Sequence, residues 1–99
     1  MSTTPDRPLS PPVQHAPERH RFEVVIDGAV SLTDYSIADG VLTIIHTEVP
    51  EQLGGRGIAG ALVKAVFDYA RDNGLKVRPA CSYARSYIER HPETQSLVV

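Results

Sequence analysis

Two Asp-Gly pairs, Asp27-Gly28 and Asp39-Gly40, constrain this chain more than any other feature. An Asp-Gly pair between apolar runs is a strong signal for a two-residue hairpin, because both central positions of that turn need positive φ. Residues 22–26, Phe-Glu-Val-Val-Ile, are β-branched and apolar, and residues 30–37 alternate apolar and polar at period 2. Residues 41–49 form a third run, closed by Pro50, which cannot donate to a ladder. The prediction is an antiparallel meander of three strands.

The pattern then changes period. From residue 58 to 73 the apolar positions Ile58, Ala59, Leu62, Val63, Val66, Phe67 and Ala70 recur at spacings of 3 and 4, with Lys64, Asp68, Arg71 and Asp72 opposite. Asn73-Gly74 predicts the helix stop. Residues 75–81 read as a fourth strand, with Pro79 hinting at an edge or a splayed position. Residues 83–90 predict a short second helix stopped at His91-Pro92, and residues 93–99 a loop or a short last strand. The order is β-β-β-α-β-α, an α+β fold.

Residues 1–19 read as a disordered, proline-rich tail, since five of the eight prolines lie there with few large apolar residues to offset the ordering entropy. A proline-rich ligand for a partner domain is the functional alternative. Residues 20–99 are then the one domain that 99 residues allow. A net charge of -2 argues against a nucleic-acid partner, which needs a concentrated basic surface. The single cysteine, Cys81, excludes an internal disulfide and a cysteine-built zinc site, so no metal is expected. With no apolar run near membrane-spanning length and no signal-peptide pattern, the expectation is a soluble cytoplasmic protein without a membrane partner.

The chemistry concentrates in Gln52-Leu53-Gly54-Gly55-Arg56-Gly57, directly before the main helix. Four glycines fall within residues 54–60, so the backbone can approach a ligand closely. Unpaired N–H groups and the helix dipole at that point make an anion site, to which Arg56 adds charge. A merely tight strand-to-helix turn would need fewer glycines. Residues 55–60 match G-x-G-x-x-G literally, but a dinucleotide fold does not fit. Residues 50–54 separate strand from fingerprint, the next strand ends without a ribose-binding acid, and the earlier strands read as hairpins. No Gly-Lys-Ser/Thr follows, so a Walker A loop is absent as well.

The frame that survives is Gln-x-x-Gly-x-Gly, at Gln52, Gly55 and Gly57, with Val49-Pro50-Glu51 before it and Ile58 and Ala59 after it. This resembles motif A of the Gcn5-related N-acetyltransferase superfamily. Residues 22–99 resemble more narrowly its minimal stand-alone members, through His46-Thr47-Glu48-Val49-Pro50 and the later Pro79, Cys81 and His91-Pro92-Glu93. The resemblance implies a truncated acyl-coenzyme A N-acyltransferase fold and an acetyl-coenzyme A-dependent transfer to a primary amine, with a coenzyme A-binding or acyl-sensing module as the alternative. The chain lacks the helices that the superfamily usually inserts between its first two strands, which implies an open acceptor site. Gly54 stands where a basic residue is common.

Carried over by resemblance, the amides of Leu53, Gly54, Gly55, Arg56, Gly57, Ile58 and Ala59 bind the coenzyme pyrophosphate, and Glu48 and Val49 bond the pantetheine arm. An amide near Val49 polarises the thioester carbonyl, an oxyanion-hole role. The resemblance places Cys81 close to the thioester, as a contact or a transient acyl carrier; its alternative is a small buried hydrophobe. His46 and Glu48, two apart on one strand, share a face and are the candidate bases, an imidazole being the better suited near neutral pH. Ordinary strand decoration is the alternative for both. Tyr83 and Tyr87 are four apart on the second helix, where the resemblance places a hydroxyl that protonates the departing thiolate. Either could equally pack against the sheet. Arg85 meets the coenzyme phosphates or faces solvent. A monomer or weak dimer is expected.

Overall fold

In a computed structural model, residues 12–99 are described. The strands are β1 (Gln14–Ala16), β2 (Arg21–Ile26), β3 (Ala29–Ala38), β4 (Val41–Glu48) and β5 (Lys76–Pro79), with helices α1 (Ile58–Asp72) and α2 (Ser82–Arg90). They form one sheet in the order β1-β2-β3-β4-β5. The first four strands are antiparallel and β5 lies parallel to β4. A parallel pair needs a crossover, and α1 supplies it.

Both Asp-Gly pairs form the expected turns: φ is 51° and 79° at Asp27 and Gly28, and 54° and 77° at Asp39 and Gly40. Their twist matches that of the flanking strands. The α1 residues Ile58, Leu62, Val63, Val66, Phe67 and Ala70 are buried, and they join Phe22, Val24, Tyr35, Leu42, Ile44 and Val77 from the sheet in one core. Helix α1 ends at Asn73, whose side-chain amide donates to the Tyr69 carbonyl at 2.8 Å. The expected loop or strand at residues 93–99 is a 3-10 turn over Pro92–Leu97 followed by a single parallel bridge from Val98 to Val77.

The expected tail needs one correction. Residues 1–11 lie outside the described residues, but Gln14–Ala16 is a strand and Pro17–Arg19 a 3-10 turn, so the ordered chain starts before residue 20. Proline content concealed β1, because the strand is held by a cross-sheet cluster and not by its own propensity. The His15 ring stacks on Phe22 at 4.1 Å and 2°, and meets Tyr69 edge-on at 4.6 Å. Its Nε2 is 2.6 Å from the Tyr35 hydroxyl. Burial raises the Tyr35 pKa, so the phenol keeps its proton, and the imidazole tautomer sets which of the two groups donates.

This cluster makes β1 acid-sensitive. Burial lowers the His15 pKa from its ordinary value, against a smaller opposing effect of Glu18. A depressed folded pKa means that the docking contribution is complete above the unfolded value near 6.5 and is lost as pH falls through the folded one. The protection of the amides of residues 14–16, after division by the intrinsic exchange rate at each pH, is expected to fall below about pH 6, and His15→Phe to abolish that dependence. An unchanged pH profile in the variant would contradict the assignment.

One irregularity in β4 positions the site. Tyr35 pairs with Ile44 and Asp34 with His46, so Ile45 is an extra residue, a β-bulge. Thr47, opposite Thr33, therefore joins Ile44 on the α1 face and is buried. His46 and Glu48, opposite Asp34 and Leu32, turn to the other face and are exposed. Pairing of β4 with β5 also stops here: the last partners are Ile44 and Pro79, followed by one bond from the Ala80 N–H to the Ile44 carbonyl at 3.0 Å. Beyond the bulge the two strands part.

Candidate functional site

The connection from β4 to α1 begins with a 3-10 turn at Glu51–Leu53, which starts after Pro50. The N–H groups of Leu53 and Gly54 are used inside it, donating to the carbonyls of Pro50 (2.9 Å) and Glu51 (3.0 Å). These two were expected as pyrophosphate donors; their amides are instead committed to the turn. Leu53 is buried, and both residues line the site by position.

The uncommitted donors start one residue later. The first α1 bond runs from the Ala61 N–H to the Gly57 carbonyl at 3.0 Å, so the amides of residues 58–60 have no intrahelical acceptor. Among the described residues, no backbone acceptor pairs with the amides of residues 55–57 either. Gly55 and Gly57 have φ of 80° and 76°, a region that a residue with a Cβ enters only with strain. Gly57 is the α1 N-cap and offers no side chain to satisfy the turn. The result is a run of N–H groups at a helix N-terminus, where the helix dipole also favours negative charge.

These groups border a cavity of about 470 Å³, a size suited to a small-molecule ligand. It is lined by Val49 and Leu53, by the glycines of the turn with Ile58 and Ala59, and by Tyr83, Ser86, Tyr87 and Arg90 of α2. Of the residues predicted for the cofactor, Val49, Leu53, Gly54, Gly55, Gly57, Ile58, Ala59 and Tyr83 are brought together here. Gln52, Arg56, Cys81 and Arg85 are not among the lining residues. Gln52 and Arg56 are exposed, and the Arg85 guanidinium donates to the Pro79 carbonyl at 3.3 Å. Sequence reasoning missed Ser86 and Arg90. Their signal was present, since they continue the stripe through Tyr83 and Tyr87 at helical spacing. Tyr87 stacks between Phe67 and His91, at 5.8 and 4.1 Å. Burial raises its pKa, which keeps its hydroxyl protonated.

Cys81 sits where β4 and β5 have parted. It is the N-cap of α2, with Sγ accepting from the Ala84 N–H at 3.4 Å. The sulfur also lies 3.6 Å from Thr47 Oγ1, which in turn is 3.1 Å from Thr33 Oγ1. This buried hydroxyl pair ties the thiol to the α1 face of the sheet. His46 and Glu48 stand on the opposite face, so the three predicted catalytic residues are not gathered on one side.

Residues 21–97 match the family described as GCN5-related N-acetyl-transferase. The chain belongs to the GCN5-related N-acetyltransferase family. Protein NATD1 of Mus musculus and of Homo sapiens are each 36% identical to it over 89 residues, which cover 86% of this chain and 80% and 78% of those proteins. The solution structure of a GCN5-like protein from Staphylococcus aureus superposes with a TM-score of 0.71 at 30% identity, covering 89% of this chain and 87% of that one. The α+β fold and the minimal, single-domain membership expected from residues 46–57 and 79–93 are thereby shown. Among the described residues no helix is long and apolar enough to cross a membrane, and no cluster of three or more metal-ligating side chains occurs.

The site's own features fit coenzyme A. A pyrophosphate needs several donors without competing acceptors, and the amides of residues 55–60 provide them. A Cβ at Gly55, Gly57 or Gly60 would meet no atom within 4 Å, so the wall they form is open to a ligand.

Proposed function

We propose that this protein is an acetyl-coenzyme A-dependent N-acetyltransferase acting on a primary amine. The observation that carries the reading is the run of amides from Gly55 to Gly60, unpaired among the described residues, beside a cavity that reaches Val49 and Tyr83. Bound there, the coenzyme would supply an acetyl group activated as a thioester. The amides of residues 55–60 hold the pyrophosphate, and the edge of β4 beyond Ile44, free of β5, accompanies the pantetheine arm. In this reading a backbone N–H at Val49 favours negative charge on the carbonyl oxygen. Tyr87 and Tyr83 line the same cavity, and their hydroxyls are the candidate proton donors. His46 and Glu48 face solvent on the far side of the sheet, where they can receive a proton only if the acceptor approaches from there. A cytoplasmic setting and a monomer or weak dimer go with this reading.

One observation favours a second reading, a coenzyme A-binding or acyl-sensing module with little turnover: no candidate base shares the face on which Cys81 meets Thr47. Incubation with acetyl-coenzyme A and a mixture of primary amines, followed as free thiol release, separates the two. Release above the amine-free background supports the transferase, and release equal to it supports the sensor. For Cys81 the expected role is contact with the coenzyme. Cys81→Ala should retain turnover within about tenfold, since it removes one weak contact, and intact-protein mass should show no acetyl adduct. An acetylated wild type together with a dead variant would make Cys81 the acyl carrier instead.

A further inference from the structure

Three small hydroxyls, those of Ser31, Thr33 and Thr47, are buried on the face of the sheet that packs against α1. Their neighbours in that core include Phe22, Val24, Leu42 and Ile44. Valine has nearly the shape of threonine and would fill the same space with no polar atom to satisfy. Two of the hydroxyls lead to Cys81, at the end where β4 and β5 part. Thr33 Oγ1 is 3.1 Å from Thr47 Oγ1, which is 3.6 Å from Cys81 Sγ.

The direction of this chain follows from its protons. Each hydroxyl has one to give. Thr33 is fully buried, and the partner of its hydroxyl among the described residues is Thr47. Ser31 Oγ, two residues along β3, has no partner, so it does not accept from Thr33. If Thr33 accepted from Thr47, its own proton would be buried without an acceptor, and the desolvation of that group would go uncompensated. Thr33 therefore donates to Thr47, and Thr47 has its proton free for the sulfur. The thiol tolerates an unpaired proton better, because S–H is a weak donor and Cys81 is only half-buried.

The sulfur then accepts twice, from Thr47 Oγ1 and from the Ala84 N–H at 3.4 Å. One donor stands on β4 and the other on α2, so together they fix the sulfur between two elements.

We infer that Thr47, oriented by Thr33, is a positioning residue that holds the Cys81 sulfur as a hydrogen-bond acceptor at the end of β4. Its consequence for turnover rests on the coenzyme A reading, in which Cys81 contacts the coenzyme. Its test does not, because it is made on the free protein. Cys81 is the one cysteine of the chain, so alkylation by iodoacetamide, followed by intact-protein mass, reads it alone. Alkylation proceeds through the thiolate, and a donated hydrogen bond favours that form. At about pH 7.5, Thr47→Val should slow alkylation about three- to tenfold, as one long hydrogen bond to an anion allows. Thr47→Ser should restore the wild-type rate. The double variant Thr33→Val with Thr47→Val leaves neither threonine hydroxyl without a partner and should be as slow; it carries the test if the single variant does not fold. Unchanged or faster alkylation in a folded variant lacking the Thr47 hydroxyl overturns the inference, since a thiol that donated to Thr47 would lose a contact favouring its protonated form. A Thr47→Ser rate as slow as that of Thr47→Val also overturns it, by assigning the effect to side-chain shape.

Discussion

Gly57→Val is expected to lose coenzyme A affinity by about 100-fold or more while the domain stays folded. Gly57 holds φ of 76° as the α1 N-cap, and a β-branched residue there costs on the order of 1–3 kcal/mol of backbone strain. To relieve it, the chain must rotate the peptide units that aim the amides of residues 56–58. Losing two charge-assisted hydrogen bonds, each about 1.5–3 kcal/mol, accounts for the drop. Gly28→Val is the control. Gly28 has φ of 79° in the β2–β3 turn and is not among the residues lining the cavity. It should destabilise comparably and leave affinity unchanged. Equal affinity loss in both variants would mean that global stability, and not the aim of the amides, sets binding.

Leu62→Ala is expected to lower stability by about 2–5 kcal/mol, read from the urea midpoint. Leu62 is fully buried on the core face of α1, and its removal leaves a void that a close-packed interior cannot easily fill. Against a total of about 5–15 kcal/mol for a small domain, that approaches unfolding. The same packing holds the α1 N-terminus against the end of β4, so fold and site are coupled. Added coenzyme A should therefore raise the variant's midpoint, because a ligand that binds only the folded state stabilises it. A loss under 1 kcal/mol would contradict the packing described here.

The hairpins and α1 were legible because their determinants are local. Asp-Gly pairs define their turns within two residues, and 3–4 periodicity runs the length of α1. The features that arrange the site were less legible because they arise between elements. Nothing near Ile45 announces a bulge, yet the bulge decides that Thr47 meets Cys81 while His46 and Glu48 face away. Strand β1 is three residues long and depends on Phe22, Tyr35 and Tyr69, the last two distant in sequence from His15. Likewise, the glycine motif points to amide donors but not to their local use. The 3-10 turn after Pro50 consumes those of Leu53 and Gly54, and only the bonds themselves reveal it. Ser86 and Arg90 continue the stripe of Tyr83 and Tyr87, but as polar residues of a short, polar helix they do not stand out from its exposed positions.

The central claim is that the amides of residues 55–60 form a coenzyme A site. Calorimetric titration of the wild-type protein with coenzyme A tests it most directly. The account predicts saturable binding of one coenzyme per chain, accompanied by amide shift changes confined to residues 49–60 and α2. An absence of heat and of shift changes at millimolar coenzyme A would contradict it.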